Sequence, residues 1–356
     1  MRFSLVDNLI KRSDIRWNQY ITPPPSLLWL LQESQDSLAL TFWNNSSKMA
    51  HLPSVELSEI RTVKKRQLHQ KLHLATYLIH LDQAIAGADY VVHTASPVTL
   101  KQPKDENILI KPAVDGTLAV MRAAQKHKVK RVVLTSSVVA IYSQEEGQKK
   151  ETYNEDDWSV PRTQDAYGKS KTLAEKAAWD FVNKLPQSEK FELVAINPAI
   201  IMGPSYVNNG FAIGELVGDL LNGKFSRMPR VQLSIIDVRD VAKAHLLALK
   251  VPEAAGKRFP LSEDSLWFRE VAHELNRRLP GFNLNEGELS YCLIKIISWF
   301  DSSLKPIVAQ WDKPMYFDMS NARNILGMKD VISAEDAVIA LAESRIKQGI
   351  VKDKRK

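Results

Sequence analysis

The sequence predicts an α/β protein, a doubly wound parallel sheet with a smaller C-terminal lobe, preceded by about 80 residues of different character. Three observations predict it. From residue 82 onward, short apolar runs alternate with segments of helical period. Their order is β–α–β–α–β, which places helices on both faces of a parallel sheet. After residue 251 the texture changes, with Trp267, Phe268, Trp299, Phe300 and Trp311 spread through it.

Asp89–Val92 reads as a buried strand. In Thr117–His127, Leu118, Val120, Met121 and Ala124 can share one helical face. Arg131–Thr135 is the next strand and Ala166–Asn183 a strong helix. Glu192–Ile196 is a further strand that Pro198 is expected to stop. Segment 203–232 is loop-rich with one helix. The expected organisation is therefore an atypical segment 1–81, a core 82–250 and a smaller lobe 251–356.

Composition removes several function classes. The single cysteine, Cys292, excludes an internal disulfide, fits a cytoplasmic location, and is expected to pack in the apolar run Tyr291–Ile297. No run of 18 apolar residues predicts a membrane span. No His/Cys cluster has metal-ligand spacing. The net charge of +7 suggests nucleic acid, but its distribution argues otherwise. Residues 1–81 carry +4 and the tail 347–356 another +4, which leaves −1 for the body.

The chemistry concentrates in Tyr167-Gly168-Lys169-Ser170-Lys171. Tyr167 and Lys171, four apart, project from one helical face. A free phenol titrates near pH ~10 and is a poor proton carrier at neutral pH. An adjacent ammonium favours the phenolate, so the pair can pass a proton to or from a carbonyl oxygen. Thr135-Ser136-Ser137 follows a strand, where a hydroxyl at the carboxyl end can bond the same oxygen. A lone Tyr-x-x-x-Lys is a common surface pair, and a Ser-Ser after a strand is usually a turn or cap. Their combination, followed by a strand running into Asn197-Pro198, carries the reading.

Seven strings extend it: GADYVVHTASPV (87–98), KPAVDGTLAVMRAA (111–124), KRVVLTSSVVAIY (130–142), YGKSKTLAEKAAWDFV (167–182), INPAIIMGP (196–204), IDVRDVAKAHLLAL (236–249) and DMSNARNILG (318–327). With them the chain resembles the dihydroflavonol reductase and cinnamoyl-CoA reductase branch of the extended short-chain dehydrogenases, over about residues 82–350. The resemblance implies a Rossmann-like fold, with the smaller lobe as the substrate-binding part. It also implies an NADP(H)-dependent oxidoreductase that reduces a ketone or aldehyde, with NAD as the alternative cofactor. By it, Tyr167 matches the general acid, Lys171 the residue that tunes it and holds the nicotinamide ribose, and Ser137 the carbonyl-orienting hydroxyl. Thr94, Ala95 and Ser96 match the turn beside the cofactor, and Pro198 and Ile200 the segment against the nicotinamide. The implied partner is a small carbonyl or alcohol substrate, with no nucleic acid, membrane or metal. A 3β-hydroxysteroid dehydrogenase or nucleotide-sugar epimerase shares the same trio and stands as the alternative. His93 and His245 are expected to be packed rather than catalytic, and Asp237, Arg239 and Asp240 to form a structural, lobe-joining ion pair.

A dinucleotide fold should open with strand, G-x-x-G-x-x-G, helix, because glycines let backbone amides approach the pyrophosphate. Here the first glycine is Gly87. Back-translation offers a reason. Reread from the third base of each codon, Leu28–Ala50 permits VVTGISGFIGSHILEQLLQNG, His51–Ile60 permits AFTVRGTVRDP, and Leu74–His80 permits GDLLDPS. Met49-Ala50 forces glycine and Trp43-Asn44 forces glutamate. Residues 28–81 are therefore read as the product of a frame error in a gene model, or of a degraded gene, that replaced the first βαβ unit. The restored arginine would favour NADP by meeting its 2′-phosphate. If the printed segment is genuine, the alternative is a cofactor-deficient binding protein.

Overall fold

The computed structural model describes residues 81–94, 96, 103–206, 212–300 and 304–355. Segment 1–80, which contains nearly all of the stretch read as out of frame, lies outside the described residues, as does Ala95.

Four parallel strands form the main sheet in the order β1, β2, β4, β7: β1 Tyr90–His93, β2 Arg131–Thr135, β4 Glu192–Pro198 and β7 Arg258–Leu261. Alternate residues face opposite ways along a strand, so one sheet makes two cores. Val91, Val132, Leu134 and Leu193 meet α1 (Asn107–Lys126) and α2 (Ala166–Lys184) on one face. Val92, Val133, Val194, Ile196 and Phe259 meet α4 (Val238–Lys250) on the other. The doubly wound α/β arrangement expected from the sequence is thereby observed. Among the described residues, β1 has a paired neighbour on one side only.

Two element ends differ from expectation. The helix expected at Thr117–His127 starts ten residues earlier, at Asn107, and contains Pro112. The strand expected at Glu192–Ile196 runs two residues further and stops at Pro198, which lies opposite Leu261. Proline is tolerated at the last strand position, where the following amide, Ala199 N, resumes bonding to Leu261 O.

A second cluster gathers β5 (Ile200–Met202), α3 (Ala212–Leu221), β6 (Gln232–Asp237), β8 (Asp264–Trp267), α5 (Phe268–Arg278) and α9 (Ala334–Lys347). The chain crosses between layers: β7 lies after residue 251 yet pairs with β4, while β5 and β6 lie before it and pair with each other. Cys292, expected in the core, is exposed on α6 (Tyr291–Phe300). That helix buries Ile294 and Ser298 and leaves Trp299 and Phe300 exposed. Its apolar run reads like core because a run records hydrophobicity, not which face finds a partner.

Buried Arg131 ties sheet to helix. Its Nε donates to Glu192 at 2.6 Å, and its NH1 donates to Ala248 O and Val251 O at 2.6 and 2.7 Å. Those carbonyls lie at the C-terminal end of α4, where a cation suits the dipole, and Val251 O also accepts from Ala254 N at 3.2 Å.

Asp237, Arg239 and Asp240 do not form a lobe-joining ion pair. Asp237 caps α4 by accepting from Arg239 N, and the Arg239 side chain returns to the same carboxylate at 2.8 Å. Asp240 makes the long-range connection, accepting from Ile332 N at 2.8 Å. Gly203 makes room for this capping carboxylate. Its φ is +110°, and a Cβ there would lie 2.8 Å from Asp237 Oδ2. Gly203→Ala is expected to destabilise the fold by more than ~1 kcal/mol, from strain and contact together. Gly147→Ala, also at positive φ but in open space, should cost less. Urea midpoints of the two variants check this, and equal shifts would remove the contact argument.

Candidate active site

The expected site residues come from three strand ends and one helix. Thr94 follows β1, Ser137 follows β2 by two residues, and Pro198 closes β4. Ile200 opens β5 and pairs with Ile235. Tyr167 and Lys171 sit in the first turns of α2. Carboxyl ends of parallel strands are where such sheets place reactive groups.

Local chemistry fixes each position. Asp165 caps α2, accepting from Gly168 N at 2.7 Å, so Tyr167 enters the helix with a set orientation. Ser137 has extended backbone and caps the tight turn Val138–Ala140, its Oγ accepting from Val139 N at 3.3 Å. The same Oγ donates to Pro198 O at 3.4 Å. Helix α2 packs on that turn, and Gln164 joins them by donating to Val139 O at 2.6 Å and accepting from Thr172 Oγ1 at 2.9 Å. Gly168 permits this passage, since a Cβ would lie 3.0 Å from Gln164 Nε2.

Lys171 is 7% exposed, and its Nζ lies 6.0 Å from the centroid of the Tyr167 ring. A phenol and a buried ammonium therefore share one face of α2, beside a strand-end hydroxyl. Both histidines are packed, as expected. His245 Nδ1 donates to Val241 O at 2.7 Å, which leaves Nε2 to accept from Thr135 Oγ1 at 2.6 Å. His93 is 2% exposed, with Nε2 3.5 Å from Thr117 Oγ1.

Behind the site lies a buried network that the sequence reading did not single out. Glu175 accepts from Ser136 Oγ at 2.5 Å, Asn197 Nδ2 at 2.8 Å, Arg258 Nε at 2.6 Å and Trp179 Nε1 at 3.2 Å. Asn197 Nδ2 also donates to Ser137 O at 3.2 Å. Arg258 lies 3.7 Å from the Trp158 ring centroid and donates to Glu155 O and Asp157 O. Glu175 and Asn197 stand inside strings that mark the family resemblance. That was the available signal, although a string does not say what its glutamate touches.

The residues present fit the nicotinamide and ribose half of a dinucleotide. Thr94 Oγ1 and His93 Nδ1 are buried without a hydrogen-bond partner among the described residues, beside the strand end expected to border a cofactor. Lys171 adds a buried cation suited to ribose hydroxyls. The expected glycine loop lies outside the described residues. A separate concavity of about 450 Å³, lined by Asp264, Trp267, Glu270 and His273 among others, contains none of the trio. Its carboxylates have local work: Glu270 accepts from Trp267 N, and Glu274 pairs with Arg277.

Comparison with known proteins agrees with this layout. Residues 56–266 match the profile of the 3-beta hydroxysteroid dehydrogenase/isomerase family. The chain belongs to that family, within the extended short-chain dehydrogenases. It is 37% identical over 208 residues to the NADPH-dependent methylglyoxal reductase GRE2 of Saccharomyces cerevisiae, covering 53% of this chain and 60% of that one. It is 34% identical to cinnamoyl-CoA reductase 1 of Arabidopsis thaliana, covering 65% of each. To tetraketide alpha-pyrone reductase 1 of the same plant it is 32% identical, covering 66% and 71%. The chain thus spans about 60% of the yeast relative's length. The solved structure of yeast methylglyoxal/isovaleraldehyde reductase Gre2 complexed with NADPH superposes with a TM-score of 0.61 at 29% identity, covering 76% of this chain and 80% of that one. The Rossmann-like fold and the branch expected from the seven strings are both borne out.

The packed His93 has a consequence for stability. Burial, reinforced by the charge of Lys171, pushes its imidazole down to about 4 from 6.5. The folded chain therefore holds His93 neutral, while the unfolded chain protonates it below pH ~6.5. Its contribution is complete above that pH and is lost as pH falls through about 4. Between pH 7.5 and 5.0 the loss should be on the order of 2 kcal/mol. His93→Gln removes the titration, so its urea midpoint should fall less over that interval. Equal slopes for parent and variant would show that His93 is not responsible.

Proposed function

We propose that this chain is an NADP(H)-dependent reductase that converts a ketone or aldehyde to an alcohol, reversibly. The observation that carries the proposal is the seating of Tyr167 and buried Lys171 on one face of α2, packed against the turn that Ser137 caps. The family membership and the NADPH-bound relative support it. In this reading Tyr167, Lys171 and Ser137 are the catalytic residues. Thr94, Ala95, Ser96, Tyr167, Lys171, Pro198 and Ile200 border the cofactor, and the smaller lobe selects the substrate.

When bound, the reduced nicotinamide supplies the hydride that the carbonyl carbon receives. The chain supplies position and the proton. Ser137 Oγ–H donates to the carbonyl oxygen and fixes its direction. Tyr167 gives its phenolic proton to the same oxygen as charge develops there. Lys171 favours the phenolate that remains and holds the ribose hydroxyls. A second reading, a binding protein without turnover, is favoured by one observation: no glycine precedes Gly87, so the printed N-terminal segment offers no glycine-rich phosphate loop.

Titration of the purified chain with NADPH separates the two. Saturable binding with carbonyl-dependent oxidation supports the reductase, and absence of binding selects the second reading. In an active chain, Tyr167→Phe should lower kcat by roughly a hundredfold or more while the NADPH Kd stays nearly unchanged. Lys171→Ala should impair both. Retained turnover in Tyr167→Phe would sink the mechanism.

A further inference from the structure

We propose that Glu175 is the positioning residue of this site. Its buried carboxylate holds the strand ends carrying Ser137 and Pro198 against the helix carrying Tyr167 and Lys171, and it decides which serine faces substrate. The inference rests on the reductase reading above.

Glu175 lies one helical turn beyond Lys171 and two beyond Tyr167, and is 1% exposed. Its Oε2 receives Ser136 Oγ and Asn197 Nδ2, one from the end of β2 and one from the end of β4. Its Oε1 receives Arg258 Nε from β7 and Trp179 Nε1 from α2 itself. One side chain on α2 is thus bonded to three consecutive strands of the sheet. Asn197 extends the connection, since the same Nδ2 donates to Ser137 O. The spacing between Ser137 and the Tyr167 helix is set through these bonds.

The two adjacent serines are also separated by this carboxylate. Ser136 Oγ is buried and committed to Glu175 at 2.5 Å. Ser137 is half-buried, and its Oγ contacts are longer, 3.3 and 3.4 Å. A hydroxyl held by long contacts can turn toward a carbonyl oxygen. One bound short to a buried carboxylate cannot do so without leaving that charge under-solvated.

Only a carboxylate fits the hub. Four donors converge on two oxygens, and an ionised carboxyl accepts at both. A glutamine in the same place has one acceptor oxygen, so whichever way its amide turns, two donors meet an NH2. Arg258 supplies the compensating charge and is itself fixed by two carbonyls and the Trp158 ring.

The test uses the full chain with NADPH and a carbonyl substrate that the parent reduces, at a temperature well below the melting point of the weakest variant. Glu175→Gln and Ser136→Ala are compared with Arg131→Met, a destabilising control at the opposite end of β2. Both network variants should lower kcat about tenfold or more, with the NADPH Kd nearly unchanged, because small misplacement of reacting groups is costly. Arg131→Met should lower the melting temperature and leave kcat alone. Independently of activity, amide exchange over 135–140 and 196–199 should quicken in the two network variants while the β6–β8 pairing keeps its protection. The proposal is overturned if both variants keep the parent kcat and local protection. If Glu175→Gln does not fold, Ser136→Ala, which removes only a neutral hydroxyl, decides alone. An active parent that Tyr167→Phe silences, with unaffected network variants, sinks this inference and spares the reductase reading. A parent that neither binds NADPH nor reduces a carbonyl sinks both.

Discussion

A carboxylate with no access to water dominates the middle of this molecule. Isolated, such a charge would cost many kcal/mol, and a fold tolerates it only when the charge is matched and its lone pairs are filled. At Glu175 both conditions are met by groups from β2, β4 and β7, so the sheet, α2 and the loop 155–158 are held in one arrangement. Breaking such a pair by removing one partner typically costs about 3–5 kcal/mol, because the other charge stays buried. Hydrophobic packing alone is tolerant of small shifts. A converging set of short hydrogen bonds is not, and that rigidity lies directly behind the groups proposed as catalytic.

The sheet around this hub follows from alternation. Val91 and Val92, or Val132 and Val133, point to opposite faces, and each face is closed by helices whose small residues let them approach. Ala119, Ala123, Ala124 and Ala178 line the α1–α2 side, and Ala244 and Ala248 the α4 side. Arg131 adds a buried charge to this packing, and it acts by filling helix-terminal carbonyls rather than by pairing alone. The site inherits its order from this packing, because β1, β2 and β4 are each buried at all but one end residue.

Buried histidines show how the same environment sorts chemistry. His93 and His245 are both held below their ordinary titration range by desolvation. His245 has hydrogen bonds at both ring nitrogens and serves as a fixed link between β2 and α4. Both imidazoles are packed as structural groups, and the proposed proton donor is instead the phenol on α2. The functional reading of the chain turns on its first segment, where the phosphate-binding half of the cofactor site would belong.

Much of this was legible in the letters. The order of elements could be read because hydrophobic period is local: Arg131–Thr135 was placed to the residue, and α2 within one. Tyr167 and Lys171 could be paired because helical geometry fixes what four residues of separation means. Local pattern placed the serines at a strand end, and the family resemblance singled out Ser137. Tertiary structure decided that Ser136 is bound to a glutamate 39 positions away. It also decided that Pro198 pairs within β4 as its last residue, that Cys292 faces outward, and that Asp240 rather than an ion pair reaches the C-terminal segment. The division has one physical cause. Sequence determines what each residue prefers within a turn or a strand, whereas partners such as Asn197, 22 positions from Glu175, and Arg258, 83 positions away, meet only after the chain has closed.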